Sequence, residues 1–349
     1  MTGMSVEEGI NQVYGGGGHV VILGAGASIA STLRSPEVNG KILPSMNTFI
    51  DVVGLQELIE NVPEHLFSTN FEELYTNLHS ADPDSEIVKE IQKRVRDYFS
   101  DMKLPNEPTI YDYLILSLRN KDLIATFNWD PFLYQAWCRN REFTKNLPFM
   151  AYLHGTVSLG YSVEDDISGP AGYYCRQDGG YLEPTQLLYP VSKKDYNADK
   201  FISQEWARVK YWLSKKSGAV RATIFGYGAP VSDVEAVELL NQAWGTPDDR
   251  PMEQFEIIDS APEKEVLERW KGFIHSHHYD FCSDYFKSSL AHNPRRTSES
   301  YFSHIHPFTP HEAFRRNNPV PDNLKTMEEL WEWHQPLIEA EKNKEISNE

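Results

Sequence analysis

Five short polar clusters hold the residues of this chain that could do chemistry. The first is Gly24-Ala25-Gly26-Ala27-Ser28, directly after the apolar run Val20-Val21-Ile22-Leu23. A buried strand that breaks into a glycine turn and then a helix can hold a phosphate. In that arrangement Gly24 takes a left-handed φ, and Gly26 lets the anion approach the backbone. The second cluster, Thr126-Phe127-Asn128-Trp129-Asp130, places an amide two residues before a carboxylate. The third is His154-Gly155, whose imidazole titrates near neutrality and can accept a proton there. Gly226-Tyr227-Gly228-Ala229-Pro230-Val231-Ser232-Asp233 is the fourth, and Asp259-Ser260 the fifth.

Each cluster follows an apolar run that reads as a strand: 19–23, 122–126, 149–153, 219–225 and 254–258. Helical patterns follow at 131–139, 233–243 and 263–274, with Pro131 suited to a first helical position and Asp130 to its cap. Strands that end in polar turns and feed helices predict an α/β fold with an open parallel Rossmann-like sheet. Ligands of such sheets sit at the carboxyl ends of the strands, so the five clusters converge on one crevice.

Two excursions interrupt the pattern. A helical insertion covers about 46–119. In its 85–102 segment, Ile87, Ile91, Val95 and Tyr98 fall at helical spacing behind a cap at Asp84 or Ser85. A smaller irregular subdomain or lid covers about 157–198. The polar loop 31–45 follows the glycine turn and could fold over a ligand. The catalytic domain thus spans 19–275, with 254–258 as its last strand. Residues 1–18 read as a flexible lead-in with a short helix at 6–13. Residues 276–349 read as an accessory region or oligomer contact, its last helix (326–344) kinked or interrupted at Pro336.

Composition narrows the function. The 349 residues carry a net charge of −18, which repels nucleic acid at long range. Cys138, Cys175 and Cys282 are isolated, so neither a disulfide framework nor a zinc ribbon is indicated. His275, His277 and His278 lack a companion Cys or Glu pattern and read as a solvated helix end. With no signal peptide and no membrane-length apolar run, a cytoplasmic setting is expected.

The glycine turn departs from the dinucleotide oxidoreductase fingerprint. Ile29 occupies the third glycine position, and no second strand ends in an acidic residue for the ribose. The ordered set GAGAS, T-x-N-x-D, HG and G-Y-G-x-P-x-S-D instead resembles the sirtuin-like (silent-information-regulator type) superfamily over about 18–274. It is most similar to the divergent bacterial NAD-hydrolysing branch found in anti-phage defence. That resemblance implies cleavage of NAD to nicotinamide and ADP-ribose, with NAD as substrate and no metal. It makes Asn128, His154 and Asp130 the catalytic candidates. Asn128 would sit beside the nicotinamide ribose and place water, Asp130 would brace it, and His154 would act on the ribose hydroxyls or as general base. Gly24, Ala25, Gly26 and Ser28 would cradle the pyrophosphate, and Ser232 and Asp233 would bind ribose or phosphate. Asp259 and Ser260 would lie near adenosine, with Thr126, Gly226 and Tyr227 completing the nucleotide-binding set. Deacetylating sirtuins carry a four-cysteine zinc ribbon, which three cysteines cannot build. Other functions compatible with the motifs are a non-catalytic NAD- or ADP-ribose-binding scaffold and, more weakly, a protein deacylase or ADP-ribosyltransferase. The resemblance also implies a homo-oligomer and an activating partner, such as a hexameric ATPase/translocase or an Argonaute-like protein. Neither direct nucleic-acid binding nor membrane contact is expected.

Overall fold

The computed structural model describes residues 5–37, 40–173, 179–191, 194–229, 233–246, 248, 254–274, 279–305 and 318–346. Strands β1 (His19–Leu23), β2 (Leu123–Thr126) and β3 (Phe149–Tyr152) precede a small antiparallel unit. That unit comprises β4 (Leu159–Ser162), β5 (Ile167–Pro170) and β6 (Glu183–Pro184). The chain then returns to the main sheet with β7 (Arg221–Phe225), β8 (Gln254–Ile258) and β9 (Tyr279–Cys282). The main sheet has the order β3-β2-β1-β7-β8-β9, and every pairing in it is parallel.

The uninterrupted apolar run of β1 has a structural reason. Successive side chains of a strand point to opposite faces, and both faces of this sheet are covered. Val21 and Leu23 enter one core, Val20 and Ile22 the other, and all four are fully buried. Helix α1 (Val6–Asn11) precedes β1, and α2 (Ala25–Ser31) follows it. The insertion supplies α3 (Phe49–Val53), α4 (Gln56–Ile59), α5 (Phe71–Ala81), α6 (Glu86–Ser100) and α7 (Ile110–Leu116), whose apolar sides build the first core. After β2 comes α8 (Phe132–Asn140); α9 (Lys200–Leu213), α10 (Val234–Trp244) and α11 (Glu263–Trp270) cover the other face. In α6 the buried stripe is Val88, Ile91, Val95 and Phe99, turned slightly from the predicted one. Tyr98 stays at the edge because its hydroxyl donates to Ile42 O at 2.7 Å.

The C-terminal region is integral to the sheet. β9 pairs with β8, so 254–258 is not the last strand. Its four residues are all half-buried and leave no alternating pattern to read. Beyond it lie α12 (Ser289–His292), α13 (Thr297–Ile305) and α14 (Met327–Ile346). α14 is one helix through Pro336; the missing N–H is offset by burial of Leu330, Leu337 and Ile338. The α12–α13 segment also satisfies the polar start of the sheet. His19 bonds Thr297 Oγ1 (3.0 Å) and Thr223 Oγ1 (2.8 Å), and Arg221 donates to Ser289 Oγ (2.7 Å).

The predicted flexible lead-in is likewise tied down. Arg296 donates to Ile10 O through Nε (3.1 Å) and Nη2 (2.9 Å). Its Nη1 meets the buried carboxylate of Glu341, which Arg295 also grips with Nε (2.8 Å) and Nη2 (2.6 Å). Among the described residues, no helix is long and apolar enough to cross a membrane.

Candidate functional site

A cavity of about 560 Å³ opens at the carboxyl ends of the central strands. Four of the five polar clusters contribute to its lining: Gly24, Ala25 and Ser28; Asn128 and Asp130; His154; and Gly226, Tyr227 and Asp233. Convergence follows from the parallel register, which brings the end of β1 beside the ends of β2 and β7.

The glycine turn is built differently from the sequence expectation. Gly24 has an extended φ of −117°, not a left-handed one. What demands glycine is the neighbouring turn: a Cβ on Gly24 would lie 2.5 Å from Tyr227 Cα, and one on Gly26 2.8 Å from Gly226 Cα. Gly226 itself is the left-handed residue, at φ +60°. Gly26 N–H donates to Gly226 O at 2.9 Å, so this amide locks two turns together, and Gly26 is not among the lining residues.

Asn128 is held in one orientation. Its Nδ2 donates to Gly24 O (2.8 Å), Ser28 Oγ (2.9 Å) and Tyr111 OH (3.2 Å). Its backbone N–H donates to Thr126 Oγ1 at 3.0 Å, which places Thr126 behind the site. With the amide nitrogen used, Oδ1 is the side-chain atom left to meet a ligand. Tyr111, fully buried on α7, also lies 2.6 Å from Ser28 Oγ. Sequence reading missed Tyr111 because it lies in the insertion, in no motif.

Asp130 braces this cluster. Oδ2 accepts from Ser28 Oγ at 2.6 Å and Oδ1 from Phe132 N–H at 3.1 Å. Burial without a cation raises its carboxyl to about 6, against the opposing pull of those hydrogen bonds. The native state therefore keeps this proton to higher pH than the unfolded chain. Between about pH 4 and 6 the wild type loses stability as the buried carboxylate ionises, on the order of 2–3 kcal/mol in total. Asp130→Asn, which carries no charge, should gain on the wild type across that window and hold the gain above it. Urea unfolding at pH 4.5 and pH 7.5 reads this; an equal difference at both values refutes it.

His154 lines the same cavity. It is buried, its ring is edge-on to Phe127 (4.8 Å), and its Nε2 has no hydrogen-bond partner. Asp233 Oδ1 is 3.9 Å away but is ion-paired with Lys194, and Tyr227 OH donates to Oδ2 at 2.8 Å. Burial, aided by the Lys194 charge and opposed by Asp233, lowers the imidazole to about 3. At neutral pH the imidazole is uncharged, so one of its two ring nitrogens can accept. Burial pushes Asp233 up, yet His154, Lys194 and Tyr227 together hold it below its ordinary value.

Asp259 and Ser260 stand at the end of β8 and do not line the cavity. Asp259 instead caps Ala261 N–H at 2.8 Å. Ser232, Cys175, His275, His277 and His278 lie outside the described residues. Among the described residues, no three His, Cys, Asp or Glu side chains gather as metal ligands. The structure adds Lys194 and Arg269 to the polar lining, and Phe49, Phe99 and Trp129 as an aromatic wall. Trp129 meets both phenylalanines edge to face, at 6.4 and 6.0 Å. Phe49 and Phe99 come from the insertion, Arg269 from α11 and Lys194 from outside any helix or strand, and none of these four belongs to a polar cluster read in the sequence.

No protein-family model matches the chain, and no curated protein matches it. Among solved structures the chain is similar to a Sir2 homologue in complex with NAD. Identity is 15%, covering 79% of this chain and 86% of that one, with a TM-score of 0.39. It is also similar to a mutant Sir2 homologue in complex with ADP-ribose (13% identity, 76% and 94% coverage, TM-score 0.35). A third is Sir2 bound to an acetylated peptide (14% identity, 77% and 96% coverage, TM-score 0.31).

Proposed function

We propose that this chain is an NAD glycohydrolase that releases nicotinamide and ADP-ribose. One observation carries the reading: an oriented amide, Asn128, and an uncharged imidazole, His154, line one cavity with the turn at Gly24. The cavity volume falls within the roughly 300–1,000 Å³ of small-molecule sites.

The residues suit the bond to be broken. Nicotinamide leaves with the electron pair of the glycosidic bond, and positive charge develops on the ribose. Nicotinamide is a good leaving group, so no strong acid is required. Asn128 Oδ1 provides a fixed negative dipole beside that charge and an acceptor for the attacking water. Water adds to the anomeric carbon and loses its proton. His154 Nε2 accepts a hydrogen bond from that water or from a ribose hydroxyl. Asp130 and Ser28 act behind Asn128, holding its orientation. The Asp233 carboxylate disfavours a phosphate beside it and fits a ribose hydroxyl.

We further propose that the enzyme is a gated effector of anti-phage defence acting by NAD depletion, as the motif order implies. Gating would come from self-assembly or from a protein partner, a hexameric ATPase/translocase or an Argonaute-like protein. The test is nicotinamide release from NAD by the purified chain, alone and with the protein encoded beside it. His154→Ala should abolish release. If preparations bind NAD and none releases nicotinamide, the chain is an NAD-binding scaffold. Turnover that depends on an acetylated peptide makes it a deacylase.

A further inference from the structure

The cavity holds a cation that the proposed chemistry does not use. Lys194 lies in the segment between β6 and α9, and its side chain is 3% exposed. It reaches across to Asp233, the cap of α10, and forms an ion pair with Oδ1. That same oxygen is the one nearest His154 Nε2, at 3.9 Å, beyond a hydrogen bond. His154 Nε2 is buried and has no partner. A buried nitrogen without a partner beside a carboxylate already taken by a lysine is an unfinished dyad.

We propose that Lys194 is a positioning residue that acts through Asp233, holding the carboxylate off His154 so that the imidazole stays a weak base until Lys194 withdraws. This rests on the assignment of His154 to the site under the proposed function. Its physical basis is competition for one oxygen. An ammonium at Asp233 Oδ1 neutralises the carboxylate and also adds a positive charge near the imidazole. Both effects oppose protonation of His154. When Lys194 leaves, the carboxylate turns to His154, the other cation-capable group acting on it among the described residues. His154 then gains both a hydrogen-bond acceptor and a counter-charge, the arrangement of a competent general base.

The other groups around His154 do not substitute for this pair. Tyr196 stacks on the imidazole at 6.2 Å, and burial raises its hydroxyl well above neutrality. Tyr227 donates to the far oxygen of Asp233, and burial raises it too. Neither changes charge between pH 4 and 9. Lys194 itself belongs to no helix or strand and is not part of the main sheet.

The test reads His154 directly, in the protein without NAD. In histidine-labelled full-length protein, the His154 resonance is assigned by its loss in His154→Gln and titrated by NMR. Lys194→Met should move the His154 titration upward by about one pH unit or more. Lys194→Gln, which keeps a hydrogen bond to Asp233 without the charge, should move it in the same direction. Lys194→Arg should leave it in place, and adding Asp233→Asn to Lys194→Met should cancel the shift. An unmoved titration in both Lys194→Met and Lys194→Gln overturns the proposal, as does an equal shift in Lys194→Arg. These outcomes stand whether or not the chain hydrolyses NAD; nicotinamide release absent both alone and with the protein encoded beside it, together with the expected titration shifts, refutes the hydrolase reading alone. Where release is measurable, the acid limb of its pH profile should move with the titration.

Discussion

Asn128→Ala is expected to lower nicotinamide release by about 10²- to 10³-fold, with NAD affinity changed by less than about tenfold. The split follows from what the amide does. Its nitrogen is committed to Gly24 O, Ser28 Oγ and Tyr111 OH, so its oxygen is held in one orientation, where the proposed mechanism develops charge on the ribose. A fixed dipole is most effective in the transition state, where it costs no reorganisation. In the proposed complex one amide oxygen is a small part of the surface NAD would meet in the cavity, so binding should survive its loss. Three buried acceptors share two N–H donors that the variant removes, which should cost the fold about 1–2 kcal/mol. Isothermal binding and single-turnover release measure the two effects separately. A loss of affinity as large as the loss of rate would make Asn128 a binding residue only.

Glu341→Ala should destabilise the fold by about 3–5 kcal/mol. Glu341 is buried on α14 and accepts from Arg295, Arg296 and Asn146, the last at 2.9 Å. Its removal leaves two buried guanidinium groups without their carboxylate. Burial alone would raise this carboxyl, but Arg295 and Arg296 outweigh it and hold it below the ordinary range. The stabilisation is therefore present above the unfolded-state value and lost as pH falls through the native one. The gap between wild type and variant should be full at pH 7 and shrink on strong acidification. Urea denaturation across pH checks both; a variant within about 1 kcal/mol of wild type at pH 7 contradicts the assignment.

The parallel sheet was legible because its central strands are buried on both faces. Such strands are written as unbroken apolar runs that stop at polar turns. Gly24, Asn128, His154 and Asp233 could be placed at one crevice for the same reason. β9 was not legible: as a half-buried edge strand, Tyr279–Cys282 has neither alternation nor an apolar run. The glycine turn was read in the right place but for a reason the geometry revises, since Gly24 and Gly26 make room for the turn at Gly226. Lys194 reaches the cavity, and Tyr111 reaches the Asn128–Ser28 cluster behind it, only through tertiary packing. Tyr111 lies in a helix whose following residues are all buried, where no periodicity singles out one side chain for function. Asp259 followed its strand as expected, but the β8 end lies one strand beyond β7, outside the cavity.

The packing of α1 against α14 bears on how the chain is made. β1 lies between β2 and β7, and β7 is nearly two hundred residues downstream. During synthesis the most apolar strand emerges first and must wait for its second neighbour. The clasp from Arg296 to Ile10 and Glu341 forms only when the last helix has left the ribosome. Contacts of such long sequence separation make folding slow and leave a partly exposed sheet in the interim. A truncation before α14 should therefore accumulate as an aggregating intermediate rather than as a smaller active domain, even though the cavity lies wholly upstream of it.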